Sequence, residues 1–105
     1  MKQKISVIVP CFNSESTIDR CINSIYSQDG EFQIELIVVN DGSTDQSENR
    51  ISKWIPLFAD KGYELKYIKQ ENQGPGGAIN TGLKYVSGEY LSLLDADDCF
   101  LQGSI

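Results

Sequence analysis

The chain has 105 residues, 40% of them hydrophobic and 23% charged, which is enough for one globular domain and too apolar for a disordered segment. Its formal net charge of −6 argues against nucleic acid as a partner, because phosphate backbones recruit clusters of lysine and arginine. The absence of histidine removes the usual zinc sites and any Ser-His-Asp triad, and no apolar run nears the roughly 18 residues that span a bilayer.

In chain order, Lys4-Ile5-Ser6-Val7-Ile8-Val9-Pro10 is a β-branched run closed by proline, which predicts a strand of a parallel sheet. No apolar leader precedes it, so the expected compartment is the cytoplasm. Ser14 or Ser16 is expected to cap a helix whose apolar positions Ile18, Cys21, Ile22, Ile25 and Tyr26 recur at helical spacing and which ends at Asp29-Gly30. Glu35-Leu36-Ile37-Val38-Val39 predicts a second buried strand, followed by the polar turn Asn40 to Asp45.

Ser43 or Thr44 is expected to cap a second helix carrying Ile51, Trp54, Ile55 and Phe58. Pro56 should kink or split it, since proline removes an amide donor and crowds the preceding turn. Glu64-Leu65-Lys66-Tyr67-Ile68 alternates as a half-exposed edge strand does. The glycine-rich stretch Gln70 to Gly77 then opens a third helix, with Ile79, Leu83 and Val86 on one face. Tyr90-Leu91-Ser92-Leu93-Leu94 reads as a buried core strand running out at Asp95.

Three cysteines, Cys11, Cys21 and Cys99, are an odd number without a C-x-x-C pair. Cys21 lies on the apolar helix face as a small core residue. Cys11 and Cys99 fall at strand ends, but with no histidine to act as base a cysteine nucleophile is disfavoured.

The order β-α-β-α-β-α-β predicts an α/β fold with an open parallel sheet and helices on both faces. Ligands of such sheets bind outside the carboxyl ends of the strands. There the sequence places Cys11-Phe12-Asn13, Asn40-Asp41, Gln73-Gly74 and Asp95 to Asp98. The turn after the first strand has no glycine, which argues against a dinucleotide fingerprint, and Gly74 to Gly77 lacks the Lys-Ser/Thr ending of a P-loop. A nucleotidyltransferase would want a glycine-rich loop after the first strand, and a phosphatase with an aspartyl nucleophile would want Asp there. Cys11-Phe12-Asn13 supplies neither.

Asp41-Gly42-Ser43-Thr44-Asp45 reads either as a helix-capping turn or, because Asp41 directly follows an apolar strand, as a carboxylate placed to accept a nucleobase ring N–H. Asp95, Asp97 and Asp98 put three carboxylates into four residues. Their mutual repulsion is relieved most simply by a divalent cation, the plain alternative being a solvated acidic turn. A calcium EF-hand loop is excluded, because Phe100 stands where its sixth-position glycine belongs and no twelfth-position glutamate follows.

Together, Val7-Ile8-Val9-Pro10-x-x-Asn13-x-Glu15, Val38-Val39-Asn40-Asp41-Gly42-Ser43-Thr44-Asp45, Asn72-Gln73-Gly74 through Asn80-Thr81-Gly82, and Leu94-Asp95-Ala96-Asp97-Asp98 resemble the amino-terminal half of a family-2 glycosyltransferase with a GT-A fold. These motifs cover nearly the whole chain, which corresponds to the nucleotide-binding, Rossmann-like half of that fold. The resemblance implies transfer of a sugar from a nucleotide-diphosphate sugar, most often UDP-linked, with inversion and with Mn²⁺ or Mg²⁺ as cofactor. It implies that Pro10 and Asn13 shape the nucleotide pocket, with Glu15 beside the ribose or base. Asp41 would bind the base, and Gln73, Gly74 and Asn80 would belong to the nucleotide site. Asp95 would lie near the ribose, while Asp97, helped by Asp98, would hold the metal on the diphosphate.

Two departures stand out. Where the family commonly has Ala-Arg-Asn, this chain has Ala78-Ile79-Asn80, so neutralising the diphosphate falls more heavily on the metal. The family's general base lies well beyond the D-x-D, so it is expected beyond Ile105 and no catalytic residue is assigned within residues 1–105. The chain is therefore expected to be a donor-binding half-domain, truncated after the D-x-D and inactive alone. The alternative is a non-catalytic module that binds nucleotide diphosphate. The acceptor stays open among polysaccharide, lipid-linked glycan and protein. Membrane association would come from segments outside these residues, and an exposed strand edge after Asp95 predicts self-association.

Overall fold

The two most β-branched runs form the centre of one parallel sheet. β1 (Gln3–Cys11) and β2 (Phe32–Asp41) pair over nine residues, from Gln3 opposite Phe32 to Cys11 opposite Asn40. β3 (Glu64–Gln70) flanks β2 and β4 (Tyr90–Leu93) flanks β1, giving the order β3-β2-β1-β4 with every pair parallel. The computed structural model describes residues 3–96.

Alternate residues of β1 and β2 feed two cores, as the strand period of two requires. Val7, Val9 and Cys11 point with Leu36 and Val38 to one face, where α1 (Ile18–Tyr26), α2 (Ser47–Ser52) and α3 (Trp54–Lys61) deliver Ile18, Cys21, Ile22, Ile25, Ile51 and Phe58. Ile8, Ile37 and Val39 point to the other face, covered by Ala78 of α4 (Gly74–Leu83). Each fully buried isoleucine or valine contributes about 1.5–3 kcal/mol, and the two central strands are the largest single source of them among the described residues.

The second helix is split as expected. The break falls at Lys53, and Pro56 is the third residue of α3, inside the first turn where a missing N–H leaves no intrahelical bond unmade. The expected caps are corrected by the structure. Thr17 precedes α1 and Gln46 precedes α2, and neither helix has a side-chain cap bond. The carbonyl of Ser14 instead accepts the N–H groups of Thr17 and Ile18, and Asp45 accepts the N–H of Ser47.

The expected apolar face of the third helix holds only in part: Val86, just past α4, packs against the second core, but Leu83 is 45% exposed. Contact with the sheet runs through Ala78 and Gly82. A Cβ on Gly82 would sit 2.8 Å from Cγ2 of Ile8, so the helix lies too close to the sheet for any larger residue there.

The reading of Tyr90 to Leu94 as a buried strand is corrected as well. β4 pairs with β1, but Tyr90, Leu91 and Leu93 are each about half exposed. Among the described residues no strand lies beyond β4, so it forms an open sheet edge. No helix among the described residues is long and apolar enough to cross a membrane.

At the amino ends of the strands the sheet is tied by one buried carboxylate. Glu35, on β2, accepts bonds from Ser6 of β1 (3.0 Å), Lys66 of β3 (3.0 Å) and the backbone N–H of Ser87 (3.0 Å), with Lys4 at 3.2 Å. Burial works to raise its pKa, but the bonds from Ser87, Lys66 and Lys4 outweigh that and hold it at about 2.

Candidate functional site

The order β3-β2-β1-β4 means that the chain winds outward from β1 through β2 to β3 and then returns to the other side of β1. Such a reversal opens a crevice beyond the carboxyl ends of the two strands that flank it. A cavity of about 710 Å³ lies there, lined from β1 by Pro10 and Cys11 and from the end of β4 by Asp95 and Ala96. Asp41 at the end of β2, Gly74 and Ala78 of α4, and the loop after β1 from Phe12 to Thr17, Glu15 apart, also line it.

Asp41 is 3% exposed, which for a carboxylate demands hydrogen-bond partners. Oδ1 accepts from Nε2 of Gln70 (2.9 Å) and from the backbone N–H of Gln73 (2.8 Å). Oδ2 takes no bond from the described residues. The adjoining turn needs Gly42 at φ 79°, where a Cβ would also lie 2.9 Å from the backbone nitrogen of Asn72. Asn72 in turn donates to the carbonyl of Asp41 at 3.2 Å. The carboxylate is thus aimed by the segment that leads into α4.

The loop after β1 is stitched to the loop after β2. Asn13 adopts φ 46°, a left-handed conformation that asparagine tolerates better than most residues. Its N–H donates to Oγ of Ser43 (2.9 Å), and its side-chain oxygen accepts the N–H of Thr44 (2.8 Å). The next two amides follow suit, Ser14 to Oγ of Ser47 (2.9 Å) and Glu15 to Oδ2 of Asp45 (3.1 Å), while Oε1 of Glu15 accepts the N–H of Gln46 (3.3 Å). Asn40 anchors the second loop from below, accepting the N–H of Ser43 and donating to the hydroxyl of Tyr67. Burial, with Glu48 beside it, pushes that phenol up to about 12.

Cys11 is buried beneath this seam. Burial raises its thiol above the ordinary value, despite bonding to Ser14, Ser47 and Ser43, so it stays a neutral thiol and is unsuited to nucleophilic attack. Cys21 is a core residue of α1, and its Sγ donates weakly to the carbonyl of Asp95 at 3.6 Å, fixing the chain where β4 runs out.

The structure therefore gathers Pro10, Asn13, Asp41, Gly74 and Asp95 around one cavity. Three other expected site residues stand apart from the wall. Glu15 is engaged with the second loop, Gln73 contributes its amide to Asp41, and Asn80 is exposed on α4. Asp97, Asp98 and Cys99 lie outside the described residues. So does Ile105, beyond which the general base is expected, and no described residue bears on that expectation. Among the described residues no cluster of three metal-ligating side chains occurs. Sequence reasoning quoted Asp45 only as part of a turn and a motif and passed over Ser47; each bonds the other and also one amide of the loop after β1. The local signals were the serine-rich composition of both turns and the place of Asp45 in the motif that follows β2.

A parallel α/β sheet with a cavity at its reversal is a common ligand-binding architecture, and comparison with known proteins makes the family specific. The sequence model of Glycosyl transferase family 2 matches residues 6–105. Over 95 residues the chain is 43% identical to the glycosyltransferase GlyA of Streptococcus pneumoniae, covering 90% of this chain and 13% of that protein. It superposes with a TM-score of 0.79 and 37% identity on S. aureus TarS 1-349 in complex with UDP-GlcNAc, covering 94% of this chain and 27% of that one. On the mannosyltransferase PcManGT from Pyrobaculum calidifontis in complex with GDP-Man and Mn²⁺ the TM-score is 0.84 at 29% identity, covering 95% and 29%. The fold is that of GT-A glycosyltransferases, and the chain belongs to glycosyl transferase family 2. It spans less than a third of the length of these proteins.

Proposed function

We propose that this chain is the donor-binding part of a metal-assisted, inverting glycosyltransferase that uses a UDP-linked sugar. The observation that carries the proposal is Asp41, a buried carboxylate oriented through one oxygen, with the other oxygen free of partners among the described residues, on a cavity at the sheet's reversal. A free carboxylate oxygen there accepts the ring N–H of uracil. The UDP-GlcNAc held by TarS supports a UDP-linked donor, and the GDP-Man held by PcManGT supports a nucleotide sugar at this fold more generally.

The charge on the wall supports a cation. The described lining carries two carboxylates, Asp41 and Asp95, and no lysine or arginine, so it offers a diphosphate no countercharge of its own. Asp97 and Asp98 follow Asp95 after Ala96 and are oxygen ligands of the kind Mn²⁺ and Mg²⁺ take. A divalent ion there would offset repulsion between diphosphate and carboxylates and stabilise the departing nucleoside diphosphate. Within this chain the residues bind and orient the donor, and the acceptor and its base belong to the remainder of the protein.

Calorimetric titration of UDP with and without Mn²⁺ is the direct test. Mn²⁺-dependent binding that Asp97→Ala abolishes is expected. Equal affinity with and without the ion would remove the metal from the reading, and no binding at millimolar UDP would remove the donor site from this chain. We also propose that the open edge of β4, with Tyr90, Leu91 and Leu93 half exposed, pairs with a second copy. A strictly monomeric species by light scattering at high concentration would count against that.

A further inference from the structure

We infer that Asp45, which does not line the cavity, is a positioning residue: with Ser47 it locks the loop after β1 against the loop after β2 and so holds the wall on which the nucleotide docks. The inference rests on the nucleotide reading above and adds a residue to it.

The loop after β1 is a large part of that wall, contributing Phe12, Asn13, Ser14, Ser16 and Thr17. The loop's own bonds, from Oγ of Ser14 to the carbonyl of Phe12 and from the Thr17 and Ile18 amides to the carbonyl of Ser14, turn the chain into α1 but do not tie it to its neighbour. The helix it leads into has no side-chain cap, and Asn13 sits in the left-handed region, a conformation that persists only where surrounding structure imposes it. The restraint comes from the neighbouring loop. Asp45 spends one carboxylate oxygen on Ser47, accepting its N–H at 2.9 Å and its hydroxyl at 2.6 Å, and the other on the N–H of Glu15 at 3.1 Å. Oγ of Ser47, oriented by that bond, accepts the N–H of Ser14 at 2.9 Å. Two consecutive amides of this loop, that of the wall residue Ser14 and that of Glu15 next to it, thus end on a single Asp45-Ser47 unit. Bonds to a carboxylate are shorter and stronger than neutral ones, which suits a latch.

Loss of this latch should loosen the loop without unfolding the chain, since Asn13 keeps its own bonds to Ser43 and Thr44 and the apolar cores are untouched. Nucleotide would then have to close the loop before docking, and apparent affinity falls by the fraction of molecules already closed.

The test compares the wild-type chain with Asp45→Asn and, as an independent cut of the same latch, Ser47→Ala. UDP affinity is measured with Mn²⁺ present, and hydrogen exchange of the Ser14 and Glu15 amides with and without nucleotide. About a ten-fold loss of UDP affinity is expected in both variants. It should be matched by a similar fall in protection of those two amides in the free chain, with protection regained at saturating UDP. A purely structural bond would not give that nucleotide-dependent recovery. Unchanged affinity, or weakened affinity with undisturbed protection, would overturn the inference while leaving the nucleotide site standing. Absence of UDP binding in the wild type would overturn the nucleotide reading and this inference with it.

Discussion

Asp41→Asn is expected to weaken UDP binding by about ten- to a hundred-fold, the worth of one hydrogen bond to a charged acceptor. The cause is a conflict of donors. The carboxylate has acceptors on both sides, one satisfied by Gln70 and the Gln73 amide and one free among the described residues. An asparagine amide has one oxygen and one nitrogen. If its oxygen serves Gln73, its N–H₂ meets the uracil N–H, and if it flips, the amide of Gln73 loses its acceptor inside a buried pocket. Either orientation sets donor against donor. Cytosine has a ring acceptor at the same position, so the variant's preference for UDP over CDP should shrink or reverse. Competition between UDP and CDP for the wild-type and Asp41→Asn chains, with melting temperatures alongside, checks both points. Undiminished UDP selectivity in a folded variant would mean that Asp41 only braces the loop before α4.

What the sequence made legible were features decided locally. β1 and β2 are covered on both faces, so they read as unbroken apolar runs, and α1 buries one stripe, so Ile18, Cys21, Ile22 and Ile25 recur at helical spacing. The place of the cavity followed from topology alone, since the loops after parallel strands meet at one edge. Features that depend on a partner distant in sequence were not legible. The helix α4 faces the sheet with Ala78 and Gly82 because it approaches closely, and small residues leave no apolar signal. Asp45 and Glu15 act across two loops, 30 residues apart, where capping rules see only each residue's own helix. Tyr90 to Leu93 has the composition of a core strand, but burial also requires a neighbour on the far side, which the described residues do not supply. The exposure of those side chains therefore belongs to the edge position of β4 and not to its composition.

Glu35 is where the largest stability effect is expected. As the first residue of a run read simply as a buried strand, it carries a fully buried carboxylate that joins β1, β2, β3 and the turn before β4. Glu35→Gln keeps the shape and removes the charge, leaving Lys4 and Lys66 to share a neutral partner. Breaking a buried ion pair from one side costs about 3–5 kcal/mol, and because both lysines are partly exposed the lower figure applies, a fall of roughly 15 °C in melting temperature for a chain of this size. The pH dependence gives an independent measure. A carboxyl held at about 2 in the fold against an ordinary value of 4.5 is ionised more readily folded than unfolded. Its contribution is thus complete above pH 4.5 and is lost as pH falls toward 2, which integrates to roughly 3 kcal/mol. Asp19, Asp45 and Glu48, also held below their ordinary values, titrate in the same acid range in both proteins and cancel in the comparison. Urea unfolding at pH 7 and at steps down to pH 2 should therefore show a gap of about 3 kcal/mol between wild type and Glu35→Gln that closes on acidification. Parallel curves would show that the lysines and serines around Glu35 are satisfied without its charge.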